Sequence, residues 1–178
     1  MSVNLYHYTK QPLEMIGSKA QKEPETYFDK PTGLWVSACD DDREGTPHGW
    51  KDFCEGENFL NLDEATTYRY QVHLRDNHSI LFLGSKSEIG VFTDRYGKPC
   101  PITKSRERKK LAIDWQKVAS DWDGVVVTPY RFDCRMEYRW YYGWDCASGC
   151  IWSTASIRQY DLYSGPSLRT SPVRVQTR

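Results

Sequence analysis

Trp140-Tyr-Tyr-Gly-Trp-Asp-Cys-Ala-Ser-Gly-Cys-Ile-Trp152 is the stretch on which the reading of this chain turns. Its thirteen residues hold three Trp, two Tyr, two Cys, two Gly and a single acid, Asp145. Aromatic and cysteine side chains bury readily, whereas an unpaired carboxylate resists burial. An acid inside such a run is expected at the wall of a pocket, where the protein rather than water sets its hydrogen bonding. The competing reading is a core strand whose one acid points to solvent. Gly149–Trp152 and Ser156–Tyr163 read as strands, and Met136–Tyr142 as an extended segment.

Upstream, Asp123-Gly124 turns into Val125-Val-Val-Thr128, an apolar β-branched run suited to a central strand and stopped by Pro129. Asp114 is placed to cap a helix carrying Trp115, Val118, Ala119 and Trp122 on one face. Ser85 with Glu88 three residues on has the capping-box spacing, and Ile89, Phe92 and Tyr96 supply that helix with a buried stripe. Gly97–Pro101 should end it. Thr66–Leu74 alternates with Tyr68, Tyr70, Val72 and Leu74 on one face; Asp76-Asn77 then turns into a Ser79–Leu83 strand. At the start of the chain, Val3–Thr9 reads as a strand with His7 on the face of Val3 and Leu5. Gln11–Lys19 has Leu13, Ile16 and Ala20 at helical spacing, Lys22–Thr32 is a polar loop, and Gly33–Ala38 is a second strand. Asp40–Gly49 reads as a loop and Trp50–Phe59 as one or two helical turns.

Short strands broken by short helices, without strict βαβ alternation, predict an α+β domain on a mixed, mostly antiparallel sheet with short flanking helices. The domain should span 1–164. Residues 165–178 carry two Pro, four Ser or Thr, three Arg and no acid, and read as a poorly ordered basic tail.

Lys plus Arg and Asp plus Glu both number 24, so the whole chain has no net charge to draw it to nucleic acid or anionic lipid. The strongest local run, Lys104–Lys110, holds five basic residues and one acid. It reads as a solvated segment, with phosphate contact as the alternative. No 18-residue apolar run exists, so no membrane partner is expected. The opening residues lack a basic region followed by an apolar one, which predicts no secretory leader, a cytoplasmic location and six reduced cysteines. Cys and His spacings contain neither CxxC nor HExxH, so no metal is expected. Nucleotide-phosphate signatures of the Walker and Rossmann kinds are also missing. Seven Trp and twelve Tyr supply flat rings suited to stacking on sugars, bases or nicotinamide, or simply to an aromatic core.

Three motifs stand in a telling order: His7-Tyr8-Thr9 on the first strand, Gly33-Leu-Trp35-Val-Ser37-Ala38 on the second, and Asp145 ahead of a late strand. In this order and context the chain resembles the ADP-ribosyltransferase fold, in the branch containing diphtheria toxin and the poly-ADP-ribose polymerases. The likeness covers residues 3–163 and implies a split β-sheet core. Two departures stand out: Trp35 is where that family usually has Tyr, and Asp145 is where it usually has Glu, with Glu137 the substitute acid.

The resemblance implies glycosyl transfer with NAD+ as substrate; protein, nucleic acid, a small molecule and water are all open as acceptor. It assigns Asp145 to the nicotinamide ribose, and His7 as a donor to the adenosine ribose or diphosphate. Thr9 or Ser37 would add a hydrogen bond, and Trp35 or Trp50 would stack on nicotinamide. Two alternatives remain open: an RNA 2′-phosphotransferase-like enzyme of the same fold using Arg131, Arg135 and Arg139, and a non-catalytic module that binds a nucleotide or sugar.

Overall fold

The computed structural model describes residues 3–14, 17–25, 28–38 and 49–166. Of the expected Asp40–Gly49 loop, residues 40–48 lie outside the described residues, as does the tail beyond Pro166.

In chain order the strands and helices are β1 (Tyr6–Thr9), β2 (Leu34–Ser37), α1 (Trp50–Gly56), β3 (Tyr68–Leu74), β4 (Ile80–Leu83), α2 (Lys86–Tyr96), β5 (Gly97–Pro99), β6 (Leu111–Ile113), α3 (Trp115–Asp121), β7 (Gly124–Val127), α4 (Arg139–Tyr142), β8 (Ser148–Ile151) and β9 (Ile157–Ser164). Seven strands form one sheet in the order β4-β7-β8-β2-β1-β3-β9. Only β4–β7 is parallel; the other five pairings are antiparallel. The architecture is therefore α+β on a mixed, mostly antiparallel sheet, as the residue patterns predict. A two-stranded ribbon, β5–β6, stands apart from the main sheet.

The two faces of the sheet are packed by different residues. On one, Leu34, Val36, Val126 and Ile151 join Leu5, Val72 and Ile157. On the other, Val125, Val127 and Cys150 meet Trp115, Trp140, Trp144 and Trp152 with Ile89, Phe92 and Tyr96 of α2. Every residue of β7 is buried, because the strand is covered on both sides. Each buried Val there contributes about 1.5–3 kcal/mol. Helix α2 starts where its capping box lies: Ser85 Oγ accepts the Glu88 N–H, and Glu88 reaches back to the Ser85 N–H at 2.9 Å. Asp114 likewise caps α3 through the Lys117 N–H at 3.1 Å.

One join in the sheet is narrow. β1 and β2 are registered at a single pair, Tyr6 and Ser37. By contrast β2 pairs with β8, and β1 with β3, over four residues each. The sheet thus has two halves, β4-β7-β8-β2 and β1-β3-β9, that meet at one point and part beyond it.

Three expectations differ from the structure. Residues 11–14 and 17–20 form no helix. They lie along the sheet, with the Leu13 N–H on the Tyr70 hydroxyl at 3.1 Å and the Lys19 N–H on the Trp152 carbonyl at 2.8 Å, so tertiary hydrogen bonds override the local periodicity. Met136–Tyr142 is not extended: a turn of 3₁₀-helix at Phe132–Cys134 leads to α4. The β-prone aromatics there are buried at a helical interval, Tyr138 and Tyr141, which explains the misreading. The strict alternation expected along Thr66–Leu74 breaks, because register shifts fall between Arg69 and Tyr70 and between His73 and Leu74. Arg69 is consequently buried, with its guanidinium 3.9 Å from the Tyr6 ring centre and 4.4 Å from that of Tyr163. The end of α2 falls where expected, at Gly97, and Gly97–Pro99 goes on as a strand against Leu111–Ile113.

Candidate functional site

A cavity of about 310 Å³ opens where β1 and β2 part. That is the lower end of the usual ligand-site range. His7, Trp35, Ser37, Trp50 and Asp145 all line it, together with Lys30. Five side chains singled out from separate parts of the sequence therefore line one cavity.

His7 spans the parting strands. Its Nδ1 lies 2.7 Å from the Trp35 carbonyl oxygen. A carbonyl only accepts, so Nδ1 carries the proton. Burial lowers the imidazole pKa below its usual 6.5, and the bond to Trp35 opposes this only in part. The ring is accordingly neutral near pH 7, and Nε2, which has no hydrogen-bond partner among the described residues, presents a lone pair. The expected role as a donor at neutral pH is thereby reversed: His7 accepts.

The second strand is set by a close approach. A Cβ at Gly33 would lie 2.5 Å from the Ile151 carbonyl oxygen, so only glycine lets the chain enter β2 against β8. Trp35 follows, packed on Trp144 with ring centres 5.2 Å apart. Ser37 Oγ accepts the Trp50 N–H at 3.1 Å, so this serine positions α1. Trp50 in turn stacks on Phe53 at 5.7 Å and meets Phe59 edge-on.

Asp145 sits in the link between α4 and β8, with a side chain 26 % exposed. Its Oδ1 accepts from Arg135 Nη2 at 3.1 Å, and its Oδ2 lies 3.9 Å from Lys30 Nζ. The same ammonium stands 5.3 Å from the centre of the Trp35 ring. With His7 neutral, the charged groups that line the cavity are Lys30 and Asp145, which balance, and Arg135 adds a positive charge behind Asp145.

The remaining expected residues lie elsewhere. Thr9 does not line the cavity; its hydroxyl accepts the Gln11 N–H at 3.2 Å. Glu137 does not line it either and is paired with Lys86 at 2.5 Å, so it cannot substitute for Asp145 in this cleft. Arg131 is committed to Asp133 at 3.1 Å and Arg135 to Asp145. Two of the three arginines of the phosphotransferase alternative are thus engaged with different carboxylates. In the basic run, Arg108 holds Asp94 through Nε at 2.6 Å and Nη2 at 2.8 Å, and Lys110 holds Glu107 at 2.7 Å. Part of that run is internally neutralised.

Sequence reasoning missed Lys30 and placed Arg135 only in the alternative. Lys30 lies in an aperiodic polar loop, where its one local signal is its position just ahead of Pro31 and Gly33. Among the described residues, no cluster of His, Cys, Asp and Glu is arranged to hold a metal ion, and no helix is long and apolar enough to cross a membrane. No protein family, curated protein or solved structure matches this chain.

Proposed function

We propose that the chain is an NAD+-dependent ADP-ribosyltransferase of the diphtheria-toxin and poly-ADP-ribose-polymerase kind. The observation that supports this most is the convergence of His7, Trp35 and Asp145 on one cavity, in the order the resemblance implies. Lys30 and Asp145 in its lining give one group of each sign, which suits a ligand carrying both a diphosphate and a pyridinium.

In the proposed reaction, the bond between nicotinamide nitrogen and ribose C1′ breaks. The electron pair leaves with neutral nicotinamide, and positive charge develops on the ribose ring, as in glycoside cleavage. An acceptor nucleophile then bonds to C1′ and loses its proton. Asp145 would accept from the ribose 2′-hydroxyl and stabilise the developing cation. The His7 Nε2 lone pair would accept from a hydroxyl of the adenosine ribose. Trp35 would stack on the pyridinium, an interaction of about 0.5–2 kcal/mol. Protein and nucleic acid both remain acceptor classes in this reading.

The test is release of free nicotinamide from NAD+. His7→Ala and Asp145→Asn are each expected to slow it by roughly 10²–10³-fold, the usual effect of removing one electrostatic stabiliser, with the near-UV circular dichroism unchanged. The pairing of Asp145 with Arg135 favours a second reading, a nucleotide-binding module whose acid is structural. Binding of NAD+ without any release of nicotinamide would select that reading.

A further inference from the structure

Lys30 is held in a way that the loop around it explains. The backbone on both sides is pinned: Trp115 Nε1 donates to the Asp29 carbonyl at 2.8 Å, and Gln21 exchanges two hydrogen bonds with the Thr32 backbone at 2.7 and 2.8 Å. The Lys30 stem runs past Gly143, where a Cβ would stand 3.5 Å from Lys30 Cε. Its ammonium then occupies the space between the Trp35 ring at 5.3 Å and the Asp145 carboxylate at 3.9 Å. An aromatic face beside a carboxylate is what a cationic ring would seek from this cavity. The side chain is nevertheless 44 % exposed, so it is free to swing on its fixed base.

We propose that Lys30 is the specificity-determining residue of the site: its ammonium stands in for the ligand's pyridinium on Trp35, and leaves that place to pair with the ligand's diphosphate. This rests on the NAD+ reading above and assigns Lys30 two opposed effects. Against a cation without phosphate, Lys30 competes for the Trp35 face and the Asp145 carboxylate. Toward a diphosphate without a cation, Lys30 attracts. A ligand carrying both groups displaces the ammonium and captures it in one event, so the site prefers the intact dinucleotide to either half. Departure of Lys30 also frees Asp145 Oδ2 for the ribose hydroxyl.

The test uses the full chain, titrated by calorimetry with 1-methylnicotinamide and with ADP-ribose, in wild type, Lys30→Met and Lys30→Gln. Two neutral replacements guard against one failing to fold, which the melting temperature reports. Loss of the ammonium is expected to tighten 1-methylnicotinamide by roughly two- to fivefold. The same loss is expected to weaken ADP-ribose by about tenfold. If wild type binds both ligands and the variants shift them in the same direction or not at all, the Lys30 assignment is overturned while the NAD+ reading stands. If wild type and folded variants bind neither ligand, both fall.

Discussion

At the residue scale, the chemistry of His7 was only half legible in the sequence. Its place on the first strand beside Leu5 follows from alternation. Its role as an acceptor does not, because that depends on the Trp35 carbonyl 2.7 Å from Nδ1, twenty-eight residues away. The same bond yields a pH prediction. Burial lowers the folded pKa, whereas the unfolded imidazole titrates near 6.5. Between the two values the unfolded chain takes up a proton that the folded chain refuses. The contribution of neutral His7 to stability is therefore complete above about pH 6.5 and is lost as the pH falls toward the folded pKa. Urea midpoints from pH 7.5 to pH 5 should drop more steeply in wild type than in His7→Gln; parallel curves would contradict the assignment. Lys30 and Asp145, which line the same cavity, are present in both proteins and cancel in the comparison.

At the scale of elements, capping and apolar runs were the readable signals. Ser85 with Glu88 fixes the start of α2, Asp114 that of α3, and the valine run that of β7, because each depends on neighbours within a few residues. Residues 11–14 and 17–20 and helix α4 depart from the local pattern because distant partners organise their backbones: the Tyr70 hydroxyl and the Trp152 carbonyl for the first two, and burial of Tyr138 and Tyr141 for the last. A single hydrogen bond shows how α4 is tied down. Trp140 Nε1 donates to Thr93 Oγ1 at 2.9 Å in the buried layer between α4 and α2, and Thr93 Oγ1 donates in turn to the Ile89 carbonyl. Thr93→Val keeps the shape but leaves the indole N–H unsatisfied. It should cost about 1–3 kcal/mol, while Thr93→Ser, which keeps the acceptor, should cost less. Chemical denaturation of the two variants checks this; equal losses would mean that volume, not the hydrogen bond, governs the site.

At the scale of the whole molecule, the cavity is a consequence of topology. The sheet order brings the first strand, the second strand and the approach to β8 together, and the single-pair join between β1 and β2 opens the space they line. The resemblance, carried by motifs on or beside recognisable strands, singled out His7, Trp35 and Asp145, which line the cavity together. It could not give the charge of the site, because Lys30 and Arg135 come from segments without periodicity and reach Asp145 only through the fold. Taken over the chain the charges cancel, and the cleft likewise sets one ammonium, Lys30, against one carboxylate, Asp145. The central claim is thus that residues from opposite ends of the chain build one dinucleotide site. Thermal unfolding with and without NAD+ tests it most directly. At a hundredfold excess over its dissociation constant, a ligand of the folded state adds about 2.7 kcal/mol, which for a chain of this size raises the melting temperature by roughly 5–10 °C. The account predicts such a rise in wild type and its loss in Trp35→Ala; an unchanged wild-type melting temperature at millimolar NAD+ would contradict it.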